Sequence, residues 1–134
     1  MEQPQNHSSV VLVVEDEPFV RMFGTDVLES AGFEVIEACN ADEALRVLAS
    51  REDVRAVFTD VDMPGSLDGL DLAWRIHERW PEIGVVLTSG RCFIEPGAMP
   101  REDVFVSKPY AAPVLVRHIE ALMARAPASD GSSD

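Results

Sequence analysis

The chain has 134 residues and a formal net charge of −13. This acidic balance argues against a protein that binds nucleic acid, because gripping phosphates requires a basic surface. Its two cysteines are far apart and support neither a disulfide framework nor a zinc site. No apolar run reaches the roughly 20 residues that span a membrane, and residues 1–9 lack the pattern of a secretion signal. We therefore expect one cytoplasmic domain whose partners are proteins or cations.

Short apolar runs alternate with segments of helical period, which favours βα units around a parallel sheet. The first strand is predicted over 10–14. A helix follows from Pro18 to about residue 31, where Gly32 can adopt the left-handed conformation that ends it. Its apolar positions form one stripe that we expect to face the core: Phe19, Val20, Phe23, Val27 and Leu28.

The rest of the chain continues the same alternation. Asn40 and Glu43 resemble a capping box at the start of a second helix. Leu72 and Ile76 mark a third helix, and Pro113 opens the last one. Prolines and a glycine make a regular helix doubtful over 91–100, so the fourth helix is expected to be short or irregular. The remaining strands are predicted over 33–38, 54–59, 83–88 and 103–106.

Several predicted strands end on polar or charged residues. Glu15 and Asp16 follow the first strand, Asp60 the third, Ser89 the fourth, and Lys108, the only lysine, the fifth. Carboxyl ends of parallel strands meet at one edge, where crowded carboxylates repel unless a cation such as Mg²⁺ joins them. A carboxylate can also accept a phosphoryl group, and Asp60 is the candidate because its strand lies centrally. Any one of these residues, taken alone, could equally be an ordinary helix cap, turn residue or solvated surface group.

Four segments resemble the receiver domain of two-component response regulators. They are Val-Leu-Val-Val-Glu-Asp-Glu-Pro at 11–18, Thr-Asp-Val-Asp-Met-Pro-Gly at 59–65, Leu-Thr-Ser-Gly at 87–90 and Val-Ser-Lys-Pro-Tyr at 106–110. The resemblance covers residues 10–126, with flexible tails expected over 1–9 and 127–134. It implies a doubly wound, flavodoxin-like α/β fold whose five-stranded parallel sheet has the order 2-1-3-4-5.

The resemblance also implies a metal-dependent phosphoacceptor. Asp60 would take a phosphoryl group from a sensor histidine kinase or a phosphotransfer protein. Asp16, Asp60 and the backbone carbonyl of Asp62 would bind Mg²⁺, and Glu15 would act through water. The Asp62 carboxylate could hold water near the metal or repel it, and we predict that Asp62→Asn changes the lifetime of the phosphorylated state.

The resemblance assigns the sensing of the phosphoryl group to three further residues. Ser89 would hydrogen-bond to it, Lys108 would form an ion pair with it, and Phe105 would reorient when Ser89 moves. Thr88 is the competing hydroxyl, but Ser89 is preferred because it ends the strand and precedes a small residue, Gly90. Thr88 would then point to the opposite face of the strand.

The expected role is a stand-alone signalling receiver that is not an enzyme, since it would catalyse only its own phosphorylation and dephosphorylation. No effector domain fits in the chain, so its output would reach a downstream protein in trans, from a monomer or weak dimer. A haloacid-dehalogenase-like phosphatase using Asp60 and Asp62 is one alternative, although that family normally places its acidic pair on the first strand. An interaction module that is never phosphorylated is the other.

Overall fold

A computed structural model of the chain describes residues 10–124, so the two predicted tails lie outside the described residues. Within that range the chain alternates strands and helices in the predicted order. The strands are β1 Val10–Val14, β2 Glu34–Ala38, β3 Val54–Asp60, β4 Gly84–Ser89 and β5 Val104–Ser107. The α-helices are α1 Pro18–Ser30, α2 Ala41–Ser50, α3 Gly69–Arg79 and α4 Ala112–Ala124.

The five strands form one parallel sheet in the order β2-β1-β3-β4-β5, which confirms the predicted fold. The chain winds outward in both directions from the centre, so β1 and β3 lie side by side in the middle. Their paired ends are Val14 and Thr59, while Asp60 pairs with Thr88 and Ser89 with Ser107. This register brings the carboxyl ends of β1, β3, β4 and β5 to the same edge.

Helices cover both faces of the sheet, and each face has its own core. Leu12 and Val57 face the core under α2 and α3, whereas Val11 and Val13 face the core under α1 and α4. All five residues of β1 are therefore buried, as expected for the interior of a doubly wound sheet. Fully burying one such aliphatic side chain contributes roughly 1.5–3 kcal/mol to the free energy of folding. The residues at the carboxyl ends of these strands are therefore attached to a stable part of the sheet.

The starts of α2 and α3 are fixed by side-chain caps. Asn40 Oδ1 accepts a hydrogen bond from the Glu43 backbone N–H at 2.8 Å, while the Glu43 carboxylate accepts from the Cys39 N–H rather than from Asn40. Asp68 and Asp71 form a reciprocal capping box at α3 that was not predicted. Gly69, the first residue of α3, packs so closely on the end of β3 that a Cβ there would overlap its backbone.

The predicted apolar stripe of α1 is wrong in its first turns. The buried face consists of Gly24, Thr25 and Leu28, whereas Phe19 is 81% exposed and Phe23 is 50% exposed. Arg21 lies on the inward side as well, because its guanidinium donates to the Glu15 carbonyl at 2.8 Å. Hydrophobic periodicity did not predict this buried face, because Gly24 and Thr25 at its centre are not hydrophobic.

The fourth helix was expected to be short or irregular, and the segment 91–100 carries no α-helix. Its only regular turn is a 3₁₀ turn, Pro96–Ala98. Trp74 on α3 donates its indole N–H to the Ala98 carbonyl at 2.9 Å, and Met99 is buried in the core, so both tie the segment to the body of the domain. Among residues 10–124, no helix is both long enough and apolar enough to cross a membrane.

Candidate functional site at the carboxyl edge of the sheet

Three carboxylates converge where β1 and β3 end. Asp60 is the last residue of β3 and is 4% exposed, Glu15 follows β1 and is also buried, and Asp16 is half-buried. One carboxylate oxygen from each of the three lies within 4.8 Å of the other two. The sheet register thus brings together the acidic residues that the sequence placed at separate strand ends.

One cation stands among these carboxylates. Lys108, which directly follows β5, places its Nζ 3.0 Å from Asp60 Oδ1 and 3.2 Å from Glu15 Oε1. The contact with Asp60 is an ion pair rather than a well-aligned hydrogen bond, because Oδ1 accepts none of good geometry from the described residues. A single lysine offsets one of three negative charges, so the cluster keeps an excess of negative charge.

The titration behaviour of the cluster follows from this crowding. Burial raises the pKa of Asp60, the Lys108 ammonium opposes the rise, and the charges of Asp62 and Asp16 add to it. Burial likewise raises the pKa of Glu15, against the pull of a hydrogen bond from the Glu17 N–H. Burial alone would lower the pKa of Lys108, but the contacts with Asp60 and Glu15 outweigh it and the pKa is raised.

The donor set fits a hard divalent cation. Its groups are carboxylate oxygens, and Asp60 Oδ1 is a buried acceptor that lacks a well-aligned donor in the described part of the chain. Mg²⁺ binds through one or two carboxylates and keeps several waters, which a partly open group of three carboxylates accommodates. The excess negative charge gives the physical reason for a cation to bind at this edge.

Asp62 does not join the three carboxylates. Its Oδ2 instead accepts a hydrogen bond from the Ser89 hydroxyl at 2.6 Å. The Ser89 oxygen in turn accepts hydrogen bonds from the backbone N–H groups of Arg91 at 3.0 Å and Cys92 at 3.1 Å. Sequence reasoning missed the Asp62–Ser89 contact, because it depends on how two side chains turn beyond the ends of adjacent strands.

The two neighbouring hydroxyls at the end of β4 differ in their partners. Thr88 donates to the Val106 carbonyl at 2.6 Å and is committed to the backbone of β5. Ser89 instead donates to Asp62, at the carboxyl edge of the sheet.

Phe105, on β5, is half-buried and packs edge-to-face against Phe93, with ring centroids 5.4 Å apart. Phe93 is 68% exposed and lies on the segment that lacks a helix.

An apolar groove adjoins the acidic cluster. It has a volume of about 630 Å³ and shares Lys108 with the cluster. Phe23 contributes to it and packs against Tyr110 in a tilted arrangement, with ring centroids 5.6 Å apart. The complete lining is Phe19, Val20, Phe23, Gly90, Lys108, Pro109 and Tyr110. The apolar first turns of α1 were the sequence signal for this surface, but they were assigned to the core.

The sequence is similar to proteins of a known family. The sequence matches the family described as "Response regulator receiver domain" over residues 11–120. It is 37% identical to the nitrogen assimilation regulatory protein NtrX of Azorhizobium caulinodans over 123 residues, which cover 86% of this chain and 27% of that protein. It is 31% identical to the response regulator receiver protein CpdR of Brucella abortus, covering 84% of this chain and 95% of CpdR.

The fold comparison agrees with the sequence comparison. The crystal structure of the receiver domain of NtrX from Brucella abortus superposes with a TM-score of 0.79 at 36% identity, covering 87% of this chain and 99% of that one. The chain spans about a quarter or less of the length of the first curated relatives that it matches. What those longer proteins do as a whole therefore does not transfer with the domain.

Proposed function

Since this chain belongs to the family of response regulator receiver domains, we propose that Asp60 is its phosphoacceptor. A carboxylate oxygen of Asp60 attacks the phosphorus of a phosphohistidine on a sensor kinase or phosphotransfer protein. The P–N bond breaks, the imidazole keeps the electron pair, and an aspartyl-phosphate forms. The observation that carries this proposal is the buried cluster itself, in which Asp60 is crowded by Glu15 and Asp16 and paired with Lys108.

We propose that Mg²⁺ is held by Asp16, Asp60 and the backbone carbonyl of Asp62, with Glu15 acting through a bound water. When bound, Mg²⁺ supplies positive charge to the oxygens of the transferring phosphoryl group. The protein contributes three carboxylates at the end of a buried sheet, with one oxygen of each within 4.8 Å of the other two. The excess negative charge of the cluster supports this role.

Lys108, Ser89 and Phe105 are the residues that we propose respond to the phosphoryl group. Lys108 already lies 3.0 Å from Asp60, so it can pair with a phosphoryl oxygen after a small shift of its flexible side chain. Ser89 follows the neighbouring strand and can donate its single hydroxyl proton to another oxygen. Phe105 lies two residues before Ser107, the strand partner of Ser89, and would reorient when Ser89 moves.

The apolar groove beside the cluster is the proposed docking surface for the phosphodonor protein. Asp60 is nearly buried, so a phosphohistidine has to enter from the open edge of the sheet. A donor that does so comes to rest over the first turns of α1, where Phe19 and Phe23 are exposed. The groove and the acidic cluster share Lys108, which makes the two surfaces continuous.

We propose that the output is delivered in trans to a downstream protein, from a cytoplasmic monomer or weak dimer. The match covers 95% of CpdR, a response regulator receiver protein, so a relative that consists almost entirely of this domain supports the proposal. The phosphatase alternative built on Asp60 and Asp62 is not supported, because the family match is to receivers and Asp62 is engaged with Ser89. The domain is a phosphoacceptor rather than an enzyme acting on a separate substrate.

Labelling with acetyl phosphate and Mg²⁺ tests the proposal directly. We expect intact-mass measurement to find one added phosphoryl group per chain, and none in Asp60→Asn. Asp26→Asn is the matched control, because Asp26 is an exposed aspartate on α1 and should not affect labelling. Persistence of the label in Asp60→Asn would contradict the assignment, and failure of the wild type to label or to bind Mg²⁺ would favour an unphosphorylated interaction module.

A further inference from the structure

The hydrogen bond between Asp62 and Ser89 has the features of a strong contact. Its oxygen–oxygen distance of 2.6 Å is in the range of an O–H···O⁻ bond to an ionised carboxylate. Ser89 is only 2% exposed, whereas Asp62 is partly exposed and lies beyond the end of β3. The carboxylate thus reaches inward to hold a buried hydroxyl.

The hydroxyl of Ser89 has no spare hydrogen-bonding capacity in this arrangement. Its one proton is donated to Asp62, its oxygen accepts from the N–H groups of Arg91 and Cys92, and the Cys92 Sγ lies a further 3.5 Å away. A serine hydroxyl carries a single donor, so Ser89 cannot donate to Asp62 and to a phosphoryl oxygen on Asp60 at the same time. Engagement of the phosphoryl group therefore requires the bond to Asp62 to break.

We propose that Asp62 is a positioning residue that holds Ser89 in its resting place and thereby sets how readily the phosphoryl group recruits it. The proposal rests on the phosphoacceptor function described above. A hydrogen bond to a charged acceptor is worth about tenfold in an equilibrium constant, so the resting arrangement is favoured by about that factor over one without the contact. Asp62 also lies close enough to add to the negative potential at Asp60, so new charge on Asp60 disfavours the position Asp62 now holds.

The amide groups of Arg91 and Cys92 provide a direct readout, since both donate to the Ser89 oxygen and their NMR signals report where that oxygen lies. The probe is beryllofluoride with saturating Mg²⁺, which imitates the phosphoryl group on Asp60. We expect Asp62→Ala, without the probe, to move both signals part of the way toward their positions in the probe-bound wild type. We also expect it to tighten beryllofluoride binding by about tenfold.

Two further variants separate the hydrogen bond from other effects of Asp62. Asp62→Asn keeps an acceptor oxygen and the side-chain shape but loses the charge, so it should give a smaller change than alanine. In a Ser89→Ala background, Asp62→Ala should change beryllofluoride affinity by much less than tenfold, because the hydroxyl is gone and only the charge of Asp62 near Asp60 is lost. Equal effects of Asp62→Ala with and without Ser89, or unmoved amide signals, would overturn the proposal.

The control for the underlying function is separate. Beryllofluoride should bind the wild type and should fail to bind Asp60→Asn. If the wild type does not bind it, the phosphoacceptor proposal itself fails, and this inference fails with it. If the wild type binds normally while Asp62→Ala behaves identically to it, only the positioning role of Asp62 is refuted.

Discussion

Removing the charge of Asp60 should stabilise the metal-free fold. Asp60→Asn retains the shape of the side chain while it removes one of three crowded carboxylates. With an effective dielectric constant of about 20, each like-charge pair no more than 4.8 Å apart costs at least about 3.5 kcal/mol, and the ion pair with Lys108 at 3.0 Å returns about 5.5 kcal/mol. The two repulsions slightly exceed the attraction, and burial of the charge adds to the cost. We expect the free energy of unfolding to rise by about 1–2 kcal/mol.

The stability gained in Asp60→Asn should depend on pH, because folding raises the pKa of Asp60. The pKa of Asp60 is raised in the folded state, so the folded protein is penalised as pH rises from the ordinary value of 3.8 through the folded value. The advantage of Asp60→Asn should therefore be complete at neutral pH and should shrink as pH falls toward 3.8. Lys108 keeps its contact with Glu15 at 3.2 Å in the variant and is not left without a partner.

The assay is urea denaturation followed by circular dichroism, first with EDTA and then with Mg²⁺. In EDTA the variant should unfold at higher urea than the wild type, and the exposed control Asp26→Asn should change the free energy by less than about 0.5 kcal/mol. At a Mg²⁺ concentration 100 times its dissociation constant the wild type should gain about 2.7 kcal/mol, and the variant much less. An Asp60→Asn protein that is no more stable than the wild type in EDTA would refute the claim of excess buried charge.

Three other predictions concern the surroundings of the site. Burial raises the pKa of Tyr110 to about 12, so the wild type should lose about 1–2 kcal/mol more stability than Tyr110→Phe between pH 10 and 12. Absorbance titration of this only tyrosine measures its pKa directly. Gly69→Ala should destabilise the domain by about 2–4 kcal/mol, because the added methyl group overlaps the end of β3. In Gly97→Ala the added methyl group meets no atom within 4 Å, so the free energy of unfolding should change by less than about 0.5 kcal/mol. Phe19→Ser should slow phosphoryl transfer from a sensor kinase by about tenfold and leave labelling by acetyl phosphate unchanged. Met22→Ser, which is also exposed but lies outside the groove, should leave both rates unchanged.

The fold could be predicted because most of the strands are short apolar runs that end on a polar residue or just before one. Val10–Val14 was predicted with both of its bounds, and the remaining strands were placed to within one residue at each end. Prediction failed for α1 because hydrophobic periodicity cannot tell an apolar stripe that faces the core from one that faces a partner. The true inward face of α1 centres on Gly24 and Thr25, which carry no hydrophobic signal.

The site was predictable to the extent that it depends on backbone register. Strand ends place Glu15, Asp16, Asp60 and Lys108 within contact distance, and a sequence reveals strand ends. It does not reveal side-chain partners in loops. The carboxylate of Asp62 was expected to influence the metal, but its observed partner is Ser89, since the choice depends on a rotamer two residues beyond the strand.

The same register explains how an event at Asp60 can reach a distant surface. Asp60 pairs with Thr88, so Ser89 lies one residue further along the neighbouring strand, within reach of Asp62. The Ser89 oxygen also accepts from the backbone N–H of Cys92, and the next residue, Phe93, covers Phe105. If Ser89 moves toward Asp60, it has to release the start of the segment 91–100, and the aromatic contact on β5 loses its support. Because this segment has no helix of its own to resist the change, we expect it to respond more strongly to Ser89 than a regular helix would.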